Sequence, residues 1–271
     1  MTKVTVVIPS LYRVDSEYLK LAVKSLRETT DWDIIVVTNG TPTPEPIDIP
    51  GVTLRLHTRD QGQCNAVNIG VQAASPDTDY IFISNSDMYY TPGWNDNLTF
   101  DNPCMSPNLV EPMNNMGSAA PFLKVDGGFV LGDFNKSHVD KFVSAMTKEG
   151  GDNESGFNFP LFIKKDLWNL LGGYDVAYDP WGSNSDTDLQ TRINLAGVTP
   201  VRLRDVLVYH FSNKSGTFDG THQDFYQNNI EYFRDKFGFD RDELGSDVWH
   251  NKDMIPTDET KIRYKQGKYN D

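Results

Sequence analysis

An apolar run, Tyr80-Ile81-Phe82-Ile83, stops at a short polar cluster, Ser84-Asn85-Ser86-Asp87. In an open α/β sheet, ligands bind just beyond the carboxyl ends of the strands. A carboxylate placed there beside an anionic ligand is suited to hold a divalent cation, because Mg²⁺ is usually bound by one or two carboxylates plus the substrate's own phosphates. The same residue types also open ordinary turns, so Asp87 by itself leaves both readings standing. Two other places bear chemistry. Asp186, Asp188 and Arg192 share one helical stretch, and His210 ends the apolar run Val206-Leu207-Val208-Tyr209. An aspartate at a helix mouth is favoured in its ionised form by the dipole, and is equally an ordinary cap. Asp188 and Arg192, four residues apart, also suit a helical ion pair.

The elements that must position these residues alternate through the first third of the chain. Val4 to Ile8 reads as a strand buried on both faces and ended by Pro9-Ser10. Ser16 is a candidate cap for a helix to about Glu28, with Leu19, Ala22, Val23 and Leu26 at helical spacing. Ile34 to Val37 is a second buried strand closed by Asn39-Gly40, and Val52 to His57 a weaker one. A helix over Gly62 to Ala74 and a strand over Tyr80 to Ser84 follow. Such repetition implies right-handed crossovers and a mostly parallel sheet. Residues 92–118, rich in Asn, Pro, Met and Gly, read as irregular, and a long irregular stretch is often functional. Later elements are a strand over Phe157 to Lys164, a short helix to Leu171, a Gly172-Gly173 break and a helix over Asp186 to Ala196. The strand Val206 to Tyr209 and an amphipathic helix over Gln223 to Phe237 complete the pattern.

Bulk properties narrow the class. A chain of 271 residues, 38% hydrophobic, supports one large α/β domain or two small ones. A formal net charge of -13 argues against nucleic acid as the default partner. Cys64 and Cys104 are the only cysteines and lack zinc-type spacing, so free thiols in a reducing compartment are expected. The N-terminus does not read as a secretory signal, and no apolar run reaches the ~20 residues of a membrane span. A soluble, cytoplasmic protein is the expectation.

Six segments in order resemble family-2-like inverting glycosyltransferases with the GT-A fold. They are Val6-Val7-Ile8-Pro9-Ser10-Leu11-Tyr12-Arg13, Ile35-Val36-Val37-Thr38-Asn39-Gly40 and Gly62-Gln63-Cys64-Asn65-Ala66-Val67-Asn68-Ile69-Gly70. Asn85-Ser86-Asp87, the stretch from Phe162-Ile163-Lys164-Lys165 to Gly172-Gly173-Tyr174-Asp175, and Trp181-Gly182 with Ser185-Asp186-Thr187-Asp188-Leu189 and Arg192 complete the set. The resemblance implies a GT-A α/β fold over 1–238, with a Rossmann-like nucleotide-sugar-binding half at 1–90 and an acceptor-binding half at 91–238. A charged C-terminal extension would occupy 239–271. It further implies Asp186 as the general base, and Asp87 with His210 as ligands of Mn²⁺ or Mg²⁺. Donor contacts would come from Pro9, Tyr12, Arg13, Asn39, Arg59, Gln63, Asn85, Ser86 and Lys214, and acceptor contacts from Trp181, Gly182 and Asp188.

The expected reaction moves a sugar from a nucleotide-sugar donor, UDP-linked by family precedent, to an acceptor hydroxyl with inversion. The acceptor would be a glycan, protein or small molecule, with a hydroxylated DNA base as a minority case. Three positions depart from the family pattern: Asn85 replaces the first metal-motif Asp, Thr38 the uracil-associated Asp, and Ser185 the Glu before the base. A binding protein without catalysis and a nucleotidyltransferase are the competing readings. The latter is disfavoured because Pro9 to Asp15 offers only Arg13 for phosphates.

Overall fold

A computed structural model describes residues 2–40, 49–59, 62–113, 123–156, 159–212, 214 and 223–240, apart from the side chains of residues 13, 14 and 223. The strands are β1 (Val4–Ser10), β2 (Asp33–Asn39), β3 (Leu54–Thr58), β4 (Tyr80–Ile83), β5 (Met88–Tyr89), β6 (Cys104–Pro112), β7 (Leu123–Val125), β8 (Glu154–Ser155), β9 (Leu161–Lys164) and β10 (Val201–His210). The helices are α1 (Tyr12–Thr29), α2 (Gln63–Gln72), α3 (Lys136–Glu149), α4 (Lys165–Leu171), α5 (Ser185–Leu195) and α6 (Gln223–Phe237). No described helix is long and apolar enough to cross a membrane.

One sheet runs in the order β3-β2-β1-β4-β9-β6-β10-β5, with β7 on β6 and β8 on β10. The block β3-β2-β1-β4 is wholly parallel, as the strand–helix alternation requires. Beyond it β9 enters antiparallel to both β4 and β6, and β6 and β10 run parallel to each other. A core built on Val7, Ile35, Ile83, Leu161, Leu189 and Phe233 lies under α2, α5 and α6. A second cluster joins Leu19, Val23 and Leu26 of α1 to Val6, Ile34, Phe82 and Phe162 of the sheet. There the rings of Phe82 and Phe162 stack at 4.0 Å, with Trp94 stacked on Phe82 at 5.8 Å.

Helix α1 begins at Tyr12, four residues before the expected cap Ser16, and its cap residue Leu11 makes no side-chain bond. The first turn is held instead by Asp15, buried and bonded by the hydroxyls of Ser10 and Ser86. The stretch expected to be irregular contains β6, buried at all nine positions. Its apolar alternation is hidden because Ser106, Asn108 and Glu111 are buried with the apolar residues. Pro107 cannot donate to the ladder, and the register against β10 shifts between Leu203 and Leu207, opposite Pro107 and Asn108. Strand β10 extends back to Val201 because Arg202, 2% exposed, is paired with Glu154 of β8. Helix α3 was not expected. Asn135 caps it by accepting from the His138 amide at 3.1 Å.

Helix α6 spans the expected residues, and Phe239 just after it is core, packed against Phe233 and Phe237. The remainder of the expected C-terminal extension, 241–271, lies outside the described residues.

Helix α2 rides close on β1 and β2 because Gly70 faces them. A Cβ there would stand 2.4 Å from Val7 Cγ1 and 3.1 Å from Val37 Cγ2. Gly70→Ala gains roughly 1 kcal/mol of helix propensity but overpacks the core by about 1–3 kcal/mol. The net outcome is a loss of stability on the order of 1 kcal/mol. Urea unfolding, with the m-value unchanged, checks it.

Candidate active site

Sheet register brings Asp87 and His210 together. Strand β5 pairs antiparallel with β10, placing His210 opposite Met88, and the Phe211 amide donates to the Asp87 carbonyl at 3.0 Å. The side chains then meet, with His210 Nε2 3.5 Å from Asp87 Oδ1. On the other flank β6 runs parallel to β10, with Val110 opposite Tyr209, so Glu111 is the next residue across from His210. Glu111 Oε1 lies 3.0 Å from His210 Nδ1, and Lys124 of β7 donates to Glu111 Oε2 at 2.7 Å. Lys124, Glu111, His210 and Asp87 therefore form a row of alternating charge across neighbouring strands.

Burial opposes charge in this row, yet the partners prevail. Burial disfavours the imidazolium, but Asp87 and Glu111 outweigh it and push the His210 pKa up to about 9. Burial likewise pushes the Asp87 carboxyl up, but His210 and the Lys214 amide, 3.2 Å from Oδ2, hold it below its ordinary value. Glu111 was missed at the sequence level. It is 2% exposed within a strand that looked irregular.

The pair fits a divalent cation. A hard carboxylate oxygen and an imidazole nitrogen face each other, and Glu111 at Nδ1 fixes the ring so that Nε2 points at Asp87. Binding through Nε2 requires that nitrogen to lose its proton. Among the described residues no group of three or more His, Cys, Asp or Glu side chains is arranged as a metal site. Two protein ligands leave coordination positions for substrate oxygens and water.

Asp186, the expected base, lies in the first turn of α5, where the N-cap residue Asn184 is left-handed and does not cap the helix with its side chain. It is only partly exposed, and the Tyr174 hydroxyl donates to its Oδ1 at 3.1 Å. Burial dominates and pushes its pKa up to about 7, against the hydrogen bonds from Tyr174 and Ser185. The expectation that the helix dipole keeps Asp186 ionised is therefore corrected by burial. Phe159, just before β9, stacks on Tyr174, and the neighbouring Leu161 pairs with Ile83 at the end of β4. Asp186 is thus tied through Tyr174 and Phe159 to the segment that enters β9, beside the end of β4.

Asp188 does not fit its expected acceptor contact. It is 0% exposed and lies 2.6 Å from both Arg192 and Lys236, with the Tyr178 hydroxyl at 3.2 Å. The helical ion pair is what forms. Trp181 and Gly182 are half-buried, and a Cβ on Gly182 would be 3.7 Å from Gln63 Cβ, so this loop sits beside the start of α2. That helix N-terminus is filled from within: Asp179 accepts from the amides of Cys64 at 3.0 Å and Asn65 at 2.9 Å. A Cβ on Gly62 would fall 2.0 Å from Asp179 Oδ2, so only glycine admits the carboxylate. A donor phosphate is thereby excluded from an anion site that helix N-termini otherwise offer.

The other donor candidates gather less tightly. Pro9 is buried in β1 opposite Val37, Tyr12 starts α1 against the core, and Asn39 ends β2, 3% exposed. Thr38 Oγ1 lies 3.2 Å from both the Leu56 carbonyl and His57 Nδ1, so this substitute for the usual Asp is engaged with β3. Arg59 is exposed after β3, while the side chain of Arg13 lies outside the described residues. Ser86 donates to Asp15, and Asn85 is half-buried beside it. The Lys214 ammonium sits 3.2 Å from the centre of the Phe129 ring. Asp15 is a second omission from the sequence reading; burial pushes its carboxyl up and the neighbouring Asp87 adds to this. Cys64 and Cys104 are free, buried thiols, as expected.

Comparison with known proteins defines the class. Residues 5–98 match the family model of glycosyl transferase family 2. Residues 1–349 of S. aureus TarS share the fold at TM-score 0.54 and 12% identity, over 91% of this chain and 73% of that one. GalNAc-T7, crystallised with UDP, GalNAc and Mn²⁺, does so at TM-score 0.53 and 14% identity, over 78% of this chain. Only 44% of the GalNAc-T7 chain is covered, so this chain spans less than half of it. Among curated proteins, none matches the sequence. The chain therefore has the GT-A fold, and its residues 5–98 are similar to glycosyl transferase family 2.

The raised pKa of Asp186 makes it a stability liability at neutral pH. Its folded value of about 7 exceeds its ordinary 3.8, so the folded state binds the proton more tightly. Stability from this group is full below about 3.8 and is lost as pH rises through 7. Asp186→Asn therefore melts above the wild type at pH 8 by a few degrees, roughly 2–4 °C per kcal/mol, and the difference closes towards pH 4. Thermal melts across that range check it.

Proposed function

We propose that this chain is a metal-dependent, inverting glycosyltransferase that moves a sugar from a UDP-sugar donor to an acceptor hydroxyl. The observation that carries the reading is the Asp87–His210 pair, set by the β5–β10 register. Asp87 and His210 would hold Mn²⁺ or Mg²⁺, and such a cation neutralises charge that builds on a leaving diphosphate. Lys214, on the turn whose amide bonds Asp87, brings a cationic side chain to the same place. Asn85 and Ser86 approach the donor from the β4 end. Trp181 and Gly182 form the acceptor side, next to Gln63.

Asp186 takes the proton of the acceptor hydroxyl as that oxygen attacks the anomeric carbon. A carboxylate with a pKa near 7 is matched to this task, because general-base efficiency peaks when the pKa lies near the working pH. Attack opposite the leaving diphosphate inverts the anomeric centre. The presence of UDP and Mn²⁺ with GalNAc-T7 supports the choice of nucleotide and ion. Thr38 is engaged with β3 and offers a nucleotide base no carboxylate. The strongly acidic chain favours a glycan, protein or small-molecule hydroxyl over one on DNA.

The reading is tested by following UDP release from a panel of UDP-sugars with Mn²⁺. In the wild type, kcat/KM climbs with pH and levels off above about 7. Asp186→Asn lowers kcat by about 10²–10⁴-fold while UDP and Mn²⁺ still raise its melting temperature. Retention of wild-type kcat by Asp186→Asn ends the general-base assignment. For the metal, Glu111→Gln frees the ring of His210 and weakens Mn²⁺ binding by about 10–100-fold, as read by electron paramagnetic resonance of free Mn²⁺. Unchanged Mn²⁺ affinity removes Glu111 from that role.

A further inference from the structure

We infer that Tyr174 is a positioning residue for the catalytic base, and that helix α2 holds it in place through Asn68. The inference rests on the reading of Asp186 as the base and deepens it. The Tyr174 hydroxyl donates to Asp186 Oδ1 at 3.1 Å, which commits one carboxylate oxygen and orients the group. Tyr174 has little freedom to do otherwise. It is 4% exposed, its ring stacks on Phe159 at 6.2 Å, and it meets Trp168 edge-on at 5.6 Å. Its backbone is gripped from both sides by one amide. Asn68 Oδ1 accepts from the Tyr174 N–H at 2.9 Å, and Asn68 Nδ2 donates to the Tyr174 carbonyl at 2.8 Å. Arg192 secures the preceding turn by donating to the Leu171 and Gly173 carbonyls, each at 2.8 Å.

The consequence is a mechanical link between the two halves. Asn68 lies on α2, in the nucleotide-side half, and its side chain fixes the aromatic residue whose hydroxyl fixes the base. A hydrogen bond to the ionised carboxylate favours that form, so the phenol both aims Asp186 and limits how far burial raises its pKa. The titratable groups around Asp186 do not compete for this role. The Tyr174 phenol and the Cys64 thiol of α2 are both pushed well up by burial and stay neutral. Arg192 is committed to Asp188 and the turn carbonyls.

The test compares wild type, Tyr174→Phe, Asn68→Ala and Asp186→Asn for UDP release over pH 5.5–9, with thermal melts of each. Alongside it, ¹³C-carboxyl NMR titrates Asp186 directly, without reference to turnover. Tyr174→Phe is expected to move the acid limb of kcat/KM, and the Asp186 titration, upward by about one pH unit. At pH 7 kcat falls about tenfold, while the donor KM stays within about twofold. Asn68→Ala moves limb and kcat the same way, though its side chain never touches the base, and it decides the matter if Tyr174→Phe does not fold. Wild-type limb, titration and kcat in the folded variants overturn the positioning role. Full activity in Asp186→Asn instead overturns the base assignment itself, and the two failures are told apart.

Discussion

The row Glu111–His210–Asp87 depends on the register of β10 against its two neighbours. Strand β10 runs parallel to β6 and antiparallel to β5, and the two ladders together decide what stands beside His210. Shifting a strand by one residue turns every side chain to the opposite face. A slip of β10 would therefore withdraw His210 from both Asp87 and Glu111 at once. The bulge between Leu203 and Leu207 resets this register after the interruption at Pro107. The residues past the bulge, Leu207 to Tyr209, are fully buried and give the final alignment its hydrophobic anchor.

Asp186 is secured differently, by a helix rather than a ladder. Helix α2 touches the segment before α5 at two points, taking the Asp179 carboxylate on its N-terminal amides and the Tyr174 backbone on Asn68. Its packing on the sheet is close because Gly70 leaves room for Val7. Those contacts supply one physical account of Gly62, Asn68 and Gly70. Gly62 and Asn68 thereby join parts of the chain more than a hundred residues apart, and Gly70 seats the helix on β1 and β2.

Much of this was legible in the sequence. The parallel block was visible because β1, β2 and β4 are continuous apolar runs ended by polar turns. Asp87, Asp186 and His210 stood out because each sits where such a run or a helix begins or ends. Strand β6 was not legible. It takes Ser106, Asn108 and Glu111 into the sheet beside apolar residues, which no local pattern records. Glu111 was lost with it. Asp15 was overlooked because it looked like a residue before a helix, whereas its partners Ser10 and Ser86 come from two different strand ends. Asp188 was misjudged because its second cation, Lys236, arrives from α6 far along the chain. Ladder partners and distant charges are properties of the assembled sheet.

The buried carboxylates sort themselves by what compensates them, and the sorting separates structural groups from a reactive one. Glu111 answers Lys124 and His210, Asp188 answers Arg192 and Lys236, and Asp87 answers His210. Removing one partner of such a buried pair strands a charge, so these pairs serve the structure. Asp15 and Asp186 have hydroxyl donors instead, and burial raises both. They differ in access. Asp15 is 1% exposed, with Ser10 on one oxygen and Ser86 on the other, and so acts as a clamp between strand ends. Asp186 is only partly buried, with Tyr174 bonded to its Oδ1. A carboxylate that keeps some surface, is paired with no cation among the described residues and is poised near neutrality can accept a proton without breaking an ion pair. Among these five groups, that description fits Asp186 alone.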